Sequence, residues 1–442
     1  MANLVTTLSR YLMILLIAIY TYYNFRFFAV PSEAGRNRLC FLQEVCLFLL
    51  LALAGAVVWL QTDDERMILF FGAQALFFVL YLTLYRVFYH NASRLLLNNA
   101  CMLLCTGFIM LARISGERAL RQFVIAAAAA ALTMVIPFVI DRTWQLAKIP
   151  WVYGLLGLLL LFVVCVAGST SYGAQLSISV GGFAFQPSEF VKISFVFFVA
   201  TMFYRSLDFK TVAVTTAVAA AHVIVLVASR DLGSALIFFL TYLLMLFVAT
   251  ANWFYLGAGL TCGAAAALIA CRLFGHVQAR VEAWQNPWND IAGNGYQITQ
   301  SLFAIGTGGW FGSGLYQGMP GKIPVVEKDF IFAAVSEEMG GVYALCLLLI
   351  CLGCFMQFML IATRMQALFY KLIAFGLGAV YFVQVFLNIG GVTKFIPSTG
   401  VTLPLVSYGG SSLLSTFILF GVIQGLYILK RNEEEAEHEE ET

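Results

Sequence analysis

Charge is what this chain has least of. Only 11% of its 442 residues are Asp, Glu, Lys or Arg, against 61% that are hydrophobic, which excludes an ordinary soluble globular protein. Histidine is scarce too: His90, His222, His276 and His438 are scattered, without the spacing of a zinc site. The ten cysteines fall within or beside apolar runs and do not pair up in the one large loop. They read as small packing residues rather than a disulfide framework. No nucleic-acid motif occurs. The first apolar run, 11–23, lacks a small-residue cleavage site, so a span is expected there rather than a removable signal peptide. The seven glycines of 306–321 do not make a nucleotide loop. Lys322 is followed by Ile, and no strand–helix setting surrounds the run.

What is there is apolar runs of about 20 residues, the signature of a polytopic helical membrane protein. About thirteen spans are expected, near 9–25, 40–60, 67–86, 96–112, 121–140, 150–168, 189–204, 211–228, 233–249, 254–272, 329–361, 370–388 and 404–429. The count falls to twelve if one early segment lies on the membrane surface. Basic residues alternate between successive connections and put the N-terminus outside and the C-terminus inside. Arg113, Arg118 and Arg121 disagree, falling on the outer side. Seven of the 23 acidic residues sit in 433–441, leaving 16 against 25 basic ones, a net of +9 for the remainder. The acidic tail reads as a solvated cytoplasmic end.

Three segments rich in Gly, Pro, Ser or Thr share the outer face: 169–188, 273–328 and 389–403. The middle one, at 56 residues, is far longer than a connector needs to be. Irregular backbone of this kind needs water or protein around it. The span starting at Asp329 is expected to run 33 residues, with Asp329, Ser336 and Gly340 on one face and its first turns, including Ser336, Glu337 and Glu338, above the hydrocarbon or lining a wet cavity. Asp329 fits equally as an acidic wall of a wet cavity or as the N-cap of its helix. Glu189 and Lys192, at i,i+3, can form a structural ion pair or meet a charged substrate. Arg230-Asp231 leaves the same choice. The glycines of 306–321 offer close backbone approach and exposed N–H groups.

Five ordered motifs carry a resemblance: Gln186-Pro-Ser-Glu189, Asp231-Leu-Gly-Ser-Ala235, Gly295-Tyr-Gln-Ile-Thr-Gln-Ser301, Asp329-Phe-Ile-Phe332 with Glu337-Glu338, and Pro397-Ser-Thr-Gly400 through Ser407-Tyr-Gly-Gly-Ser-Ser412. Over about 96–429 the chain resembles the SEDS proteins (shape, elongation, division and sporulation), the FtsW/RodA/SpoVE group. The resemblance implies an all-α, ten-helix membrane core, here preceded by about three extra transmembrane helices, with the large extracellular loop between spans 10 and 11. The expected division is an extension at 1–92, a core at 93–429 and an acidic tail at 430–442. The resemblance also implies a multi-pass protein of the bacterial plasma membrane. Its activity would be peptidoglycan glycosyltransferase, polymerising lipid II into glycan strands at the outer face, with a class B penicillin-binding protein as partner. A lipid II flippase and a non-catalytic scaffold are the rival readings, and no inverted repeat favours the first.

The family's essential aspartate matches Asp329. Joining a sugar hydroxyl to an anomeric carbon that bears undecaprenyl pyrophosphate needs one base and charge stabilisation at the leaving group, with inversion. Asp329 is therefore the candidate base or metal ligand, with Mg or Mn as the optional cation and no organic cofactor. Arg280, Lys322, Lys328 and Lys394 are candidate pyrophosphate contacts. Glu189, Lys192, Gln297, Gln300, Ser301, Thr399 and Ser407 are further candidate substrate contacts. Two departures stand out. Relatives commonly have Gly-Ala-Lys-Arg-Trp where this chain has Gly173-Ala-Gln-Leu-Ser177, so no role carries over there. Relatives often have His-Thr before the aspartate where this chain has Glu327-Lys328, which suits a metal-binding carboxylate better than a base. The first three spans read as a partner-docking module or as extra lipid-facing helices.

Overall fold

The computed structural model describes residues 2–142, 148–171, 174–180 and 183–441. In chain order the elements are α1 (Ala2–Ala29), α2 (Glu33–Thr62), α3 (Glu65–Phe88), α4 (Arg94–Ile114), α5 (Gly116–Thr133), α6 (Ile136–Arg142), α7 (Pro150–Ala167), β1 (Ser169–Ser171), β2 (Ala174–Val180) and β3 (Phe183–Phe185). There follow α8 (Ser188–Arg205), α9 (Phe209–Ala228), α10 (Leu232–Thr250), α11 (Trp253–Leu273), α12 (Gly275–Gln285), α13 (Tyr296–Gly308), α14 (Ile331–Glu338), α15 (Gly341–Arg364), α16 (Leu368–Val392) and α17 (Gly410–Glu441).

Among the described residues, twelve helices are long and apolar enough to cross a membrane. α8, expected as a thirteenth span, has 18 residues but carries Glu189, Lys192 and Arg205, which sets it apart from the twelve. With it, the core after residue 93 comprises ten helices: α4, the kinked pair α5–α6, α7 to α11, α15, α16 and α17. The protein is thus all-α, with α1–α3 added before the core, apart from one small sheet. Where an irregular loop was expected at 169–188, β1, β2 and β3 form an antiparallel sheet in that order. Of the departing Gly173–Ser177 stretch, Gly173 lies outside the described residues.

The helix expected to run from Asp329 is broken. α14 ends at Glu338 and α15 starts at Gly341, because Gly340 takes φ +92° and sits against the Gly312 amide. Asp329 is not the N-cap; Phe330 is, and it makes no side-chain cap bond. The 273–328 segment is partly helical, holding α12 and α13. The acidic tail continues α17 as helix, with Lys430 paired to Glu434 at 2.7 Å.

The chain forms two compact units. The first comprises Met1–Leu132, Glu282–Met356 and Asn388–Gly409. α4 is its centre, buried at every position from Leu95 to Ala112. Its buried amides bond to the extension: Asn99 accepts from Tyr20 Oη at 2.9 Å and donates to Asn24 at 2.8 Å, and Asn98 Nδ2 donates to the Cys40 carbonyl, while Asn98 Oδ1 has no partner among the described residues. Arg86 and Arg94 converge on Glu44. The second unit comprises Thr133–Val281, Gln357–Leu387 and Gly410–Thr442. Here α7 packs on α8 and α9, α10 on α8, α9 and α11, and α17 on α6 and α8. Glycines make the close approaches: Gly154 lies against Phe198, and Gly425 against Pro137 and Ile140.

Candidate functional site

Asp329 lies in the first unit, partly exposed, in the turn that delivers the chain to α14. Three neighbours hold that turn. Asn388 Nδ2 donates to the Asp329 carbonyl at 2.9 Å and to the Val401 carbonyl at 2.7 Å, bridging two loops. Gln297 Nε2 donates to the Pro324 carbonyl at 3.1 Å. The Tyr408 amide donates to the Glu327 carbonyl at 2.7 Å, and the Glu327 carboxylate is paired with Arg118.

The glycine run packs on α14. A methyl group at Gly308 would lie 2.1 Å from the Ser336 carbonyl, and one at Gly312 would lie 2.4 Å from that of Glu338. Ser313 and Gly314 donate their amides to the Glu337 and Glu338 carbonyls, each at 2.9 Å. The two carboxylates take further donors: Glu337 from the Met319 amide at 2.8 Å, and Glu338 from the Tyr316 amide and from Arg113 Nε. These residues therefore clamp the loop instead of forming a wall above the hydrocarbon. The close backbone approach expected of the glycines is present, but the amides of Ser313, Gly314, Tyr316 and Met319 are engaged by α14. Burial pushes the Glu338 carboxyl up to about 7, a rise that Arg113 and the Tyr316 amide only partly oppose.

The segment after α16 completes the frame. Gln122 on α5 donates to the Ser407 carbonyl and accepts from the Gly409 amide, and Gly107 on α4 lets the Val406 backbone lie against the helix. Ser407 Oγ accepts from the Leu403 amide at 2.8 Å, and Ser301 Oγ donates to the Val392 carbonyl at 2.9 Å. Lys322 is exposed, while Gln300, Lys328, Lys394 and Thr399 are half-buried. The Lys394 carbonyl accepts from Trp284. Asn388 Oδ1, Thr399 Oγ1 and Glu337 Oε2 are buried here without a hydrogen-bond partner among the described residues. Non-glycine residues with left-handed backbone gather in this unit: Tyr316 (φ +68°), Val325 (+56°), Lys394 (+61°) and Leu405 (+65°). Each costs on the order of 1–3 kcal/mol, strain that persists where surrounding contacts over-determine the backbone.

Glu189, Lys192 and Arg280 belong to the second unit. Lys192 is buried and donates to Glu189 at 2.5 Å and to Gln384 at 2.7 Å, while Ser415 donates to Glu189 at 3.0 Å. Beside them Asp231 caps α10 through the Ser234 amide and accepts from Ser188. Arg280 sits one turn after His276 on α12. Burial and the guanidinium groups of Arg230 and Arg280 hold that imidazole below its usual range.

Reasoning from the sequence missed Asn388, Gln122, Glu327 as an ion-pair partner, and the roles of Arg113 and Arg118. A signal existed for Asn388, which with Gln384 is one of two side-chain amides in a mostly apolar helix, and for the two arginines, which break the charge alternation. As for a metal, no group of three or more His, Cys, Asp or Glu that could hold an ion occurs among the described residues. The donor set fits a divalent cation only if phosphate oxygens of a substrate supply most of its shell, a common arrangement for Mg.

A family model described as cell cycle protein, FtsW/RodA/SpoVE, matches residues 93–432. The chain is similar to the peptidoglycan glycosyltransferase RodA of Mycobacterium tuberculosis, 37% identical over 313 residues that are 66% of each protein. It thus spans a little under two thirds of that relative's length. It is similar to the peptidoglycan glycosyltransferase MrdB of Escherichia coli, 35% identical over 286 residues, 63% of this chain and 77% of the other. Among solved structures it superposes on a chain described under the coordination of polymerization and crosslinking by a peptidoglycan synthase complex. That match has a TM-score of 0.66 and 25% identity, and covers 77% of this chain and 98% of the other. The model match takes in all ten core helices, and the chain belongs to the FtsW/RodA/SpoVE family of cell cycle proteins.

Proposed function

We propose that the protein is a peptidoglycan glycosyltransferase that polymerises lipid II into glycan strands, and that Asp329 carries the reaction. The observation behind this reading is the placement of the motif aspartate, partly exposed in a turn held by Asn388, Gln297 and the Tyr408 amide. The names of the relatives support the activity. In the step proposed, an acceptor sugar hydroxyl attacks the anomeric carbon of the donor as the bond to the pyrophosphate oxygen breaks. The hydroxyl proton passes to the Asp329 carboxylate, and undecaprenyl pyrophosphate leaves. Lys322, Lys328 and Lys394 stabilise the charge developing on it, Asn388 Oδ1 can accept from a sugar hydroxyl, and Thr399 Oγ1 can donate to a sugar or pyrophosphate oxygen. Gln297, Gln300, Ser301 and Ser407 shape the same site. Glu189, Lys192 and Arg280 are proposed as substrate contacts of the second unit. A divalent cation, where bound, would be held by Asp329 and would offset the charge on the pyrophosphate.

The active site is proposed to face the outside and the C-terminus the cytoplasm. A cysteine introduced at the exposed Asn294 should then react with an impermeant reagent from outside, and labelling from inside alone would reverse the topology. The relationship to a chain of a peptidoglycan synthase complex supports a class B penicillin-binding protein as partner. The deciding experiment measures glycan polymer made from lipid II by the purified protein, with and without such a partner, and with Asp329→Ala alongside. Polymer from wild type but not from the mutant is expected. If wild type makes none even with its partner present, the polymerase reading falls and transport or scaffolding takes its place.

A further inference from the structure

Helix α1 precedes the family-matched residues, yet it reaches the glycine-rich loop. Arg10 Nη1 donates to the Gly312 carbonyl at 2.9 Å. The same guanidinium donates from Nη2 to Tyr11 Oη at 2.7 Å, and the Tyr11 ring lies 5.9 Å from that of Phe311. Two consecutive residues of α1 thus hold two consecutive residues of the loop. On its other side the loop is held by α14, which takes the Ser313, Gly314, Tyr316 and Met319 amides. α14 begins two residues after Asp329, so loop, helix and aspartate form one connected piece.

α1 is itself firmly seated. Met13, Ile17, Tyr20 and Asn24 are buried at the 3–4 residue spacing of one helical face, and Arg10 extends that stripe by one turn. Asn24 meets both Asn99 of α4 and Gly353 of α15, where an added methyl would lie 2.1 Å from its amide. Arg10 and Asn24 are about 21 Å apart along the axis, at 1.5 Å per residue. The helix is therefore anchored at one end in the core of the unit and grips the loop with the other.

We propose that Arg10 is a positioning residue of the glycosyl-transfer site, and that the added helix α1 is a working part of that site, neither a lipid-facing extra nor a detachable module. This rests on the polymerase reading above. Arg10 touches no reacting atom; it acts through the Gly312 carbonyl on the loop that braces α14.

The test uses the full-length protein with Arg10→Ala and Arg10→Lys, read in two ways. Amide hydrogen exchange over 309–319 should quicken in Arg10→Ala and be largely restored in Arg10→Lys. Polymerisation of lipid II should fall about tenfold or more in kcat for Arg10→Ala, the scale of a lost charge-assisted hydrogen bond, with a smaller change in KM. A loss of global folding would be seen as faster exchange in α4 as well, and the lysine variant separates that case by keeping the fold while retaining a donor. Unchanged exchange in the loop would overturn the proposal, as would loosened exchange with undiminished kcat. A wild type that makes no polymer would instead overturn the polymerase reading, and the exchange arm would still decide whether Arg10 holds the loop.

Discussion

Arg113 Nε lies 2.9 Å from Glu338 Oε1, joining two helices across 225 residues of sequence. The guanidinium also donates to the Gly318 carbonyl and stacks over Tyr316, 4.5 Å from the ring centre. Glu338 is fully buried, and burial holds its carboxyl at about 7, above the ordinary value of 4.5. A raised carboxyl contributes stability that is complete below about 4.5 and lost as pH rises through about 7. The melting temperature of the wild type in detergent should therefore fall from pH 5 to pH 8 more than that of Glu338→Gln. Parallel curves for the two proteins would refute this.

Arg113→Ala leaves that carboxyl buried without its partner. Removing one member of a buried pair costs roughly 3–5 kcal/mol. The sign of the Glu338 shift makes the loss larger at pH 8, where the carboxylate must be charged, than at pH 5. Thermal unfolding at the two pH values checks the difference.

Asn388→Ala should weaken polymerisation without touching the carboxylate of Asp329. The substitution removes both donors that tie the Asp329 carbonyl to the Val401 carbonyl. Two neutral hydrogen bonds are worth about 1–3 kcal/mol together, enough for a tenfold or greater effect on kcat if the turn shifts. Steady-state kinetics would show it, and an unaltered kcat would mean that the turn holds its place without Asn388.

Gly308→Ala and Gly340→Ala should both be poorly tolerated, for different reasons. At Gly308 the added methyl meets the Ser336 carbonyl at 2.1 Å; at Gly340 it also meets a backbone at φ +92°. Overpacking of this kind costs roughly 1–3 kcal/mol, more where the neighbour is backbone. Gly306→Ala, with nothing within 4 Å, is the matched control and should melt like the wild type.

Lys322 and Ser301 should separate binding from stability. Lys322 is exposed, so Lys322→Ala should raise KM for lipid II and leave the melting temperature in place. Ser301 is buried and bonded to the Val392 carbonyl, so Ser301→Ala should cost about 1 kcal/mol of stability. A lowered melting temperature for the lysine variant would mean that it has a structural partner.

Much of the architecture was legible along the chain. Helices that cross a bilayer must satisfy their backbone internally, so span length and apolarity are local properties, and twelve of thirteen expected spans reappear as long apolar helices. The family was legible as well, through ordered motifs whose resemblance the family match bears out. The break at Gly340 was not, because it depends on the Gly312 backbone packed beside it. Nor was the sheet at 169–185, whose short strands pair only within a loop that composition marks as irregular.

The three arginines after the fourth span show where the division lies. By sequence alone, Arg113, Arg118 and Arg121 are an exception to the charge alternation that sets orientation. In the folded unit Arg113 answers Glu338 and Arg118 answers Glu327, each more than 200 residues away, and only Arg121 stays with its local neighbour Glu117. Membrane class, span positions and family follow from local hydropathy and ordered motifs, which need no knowledge of what lies across the fold. Which charge is paired, which amide holds the Asp329 turn and which helix grips the glycine loop were decided by tertiary structure, because each joins groups that sequence distance keeps apart.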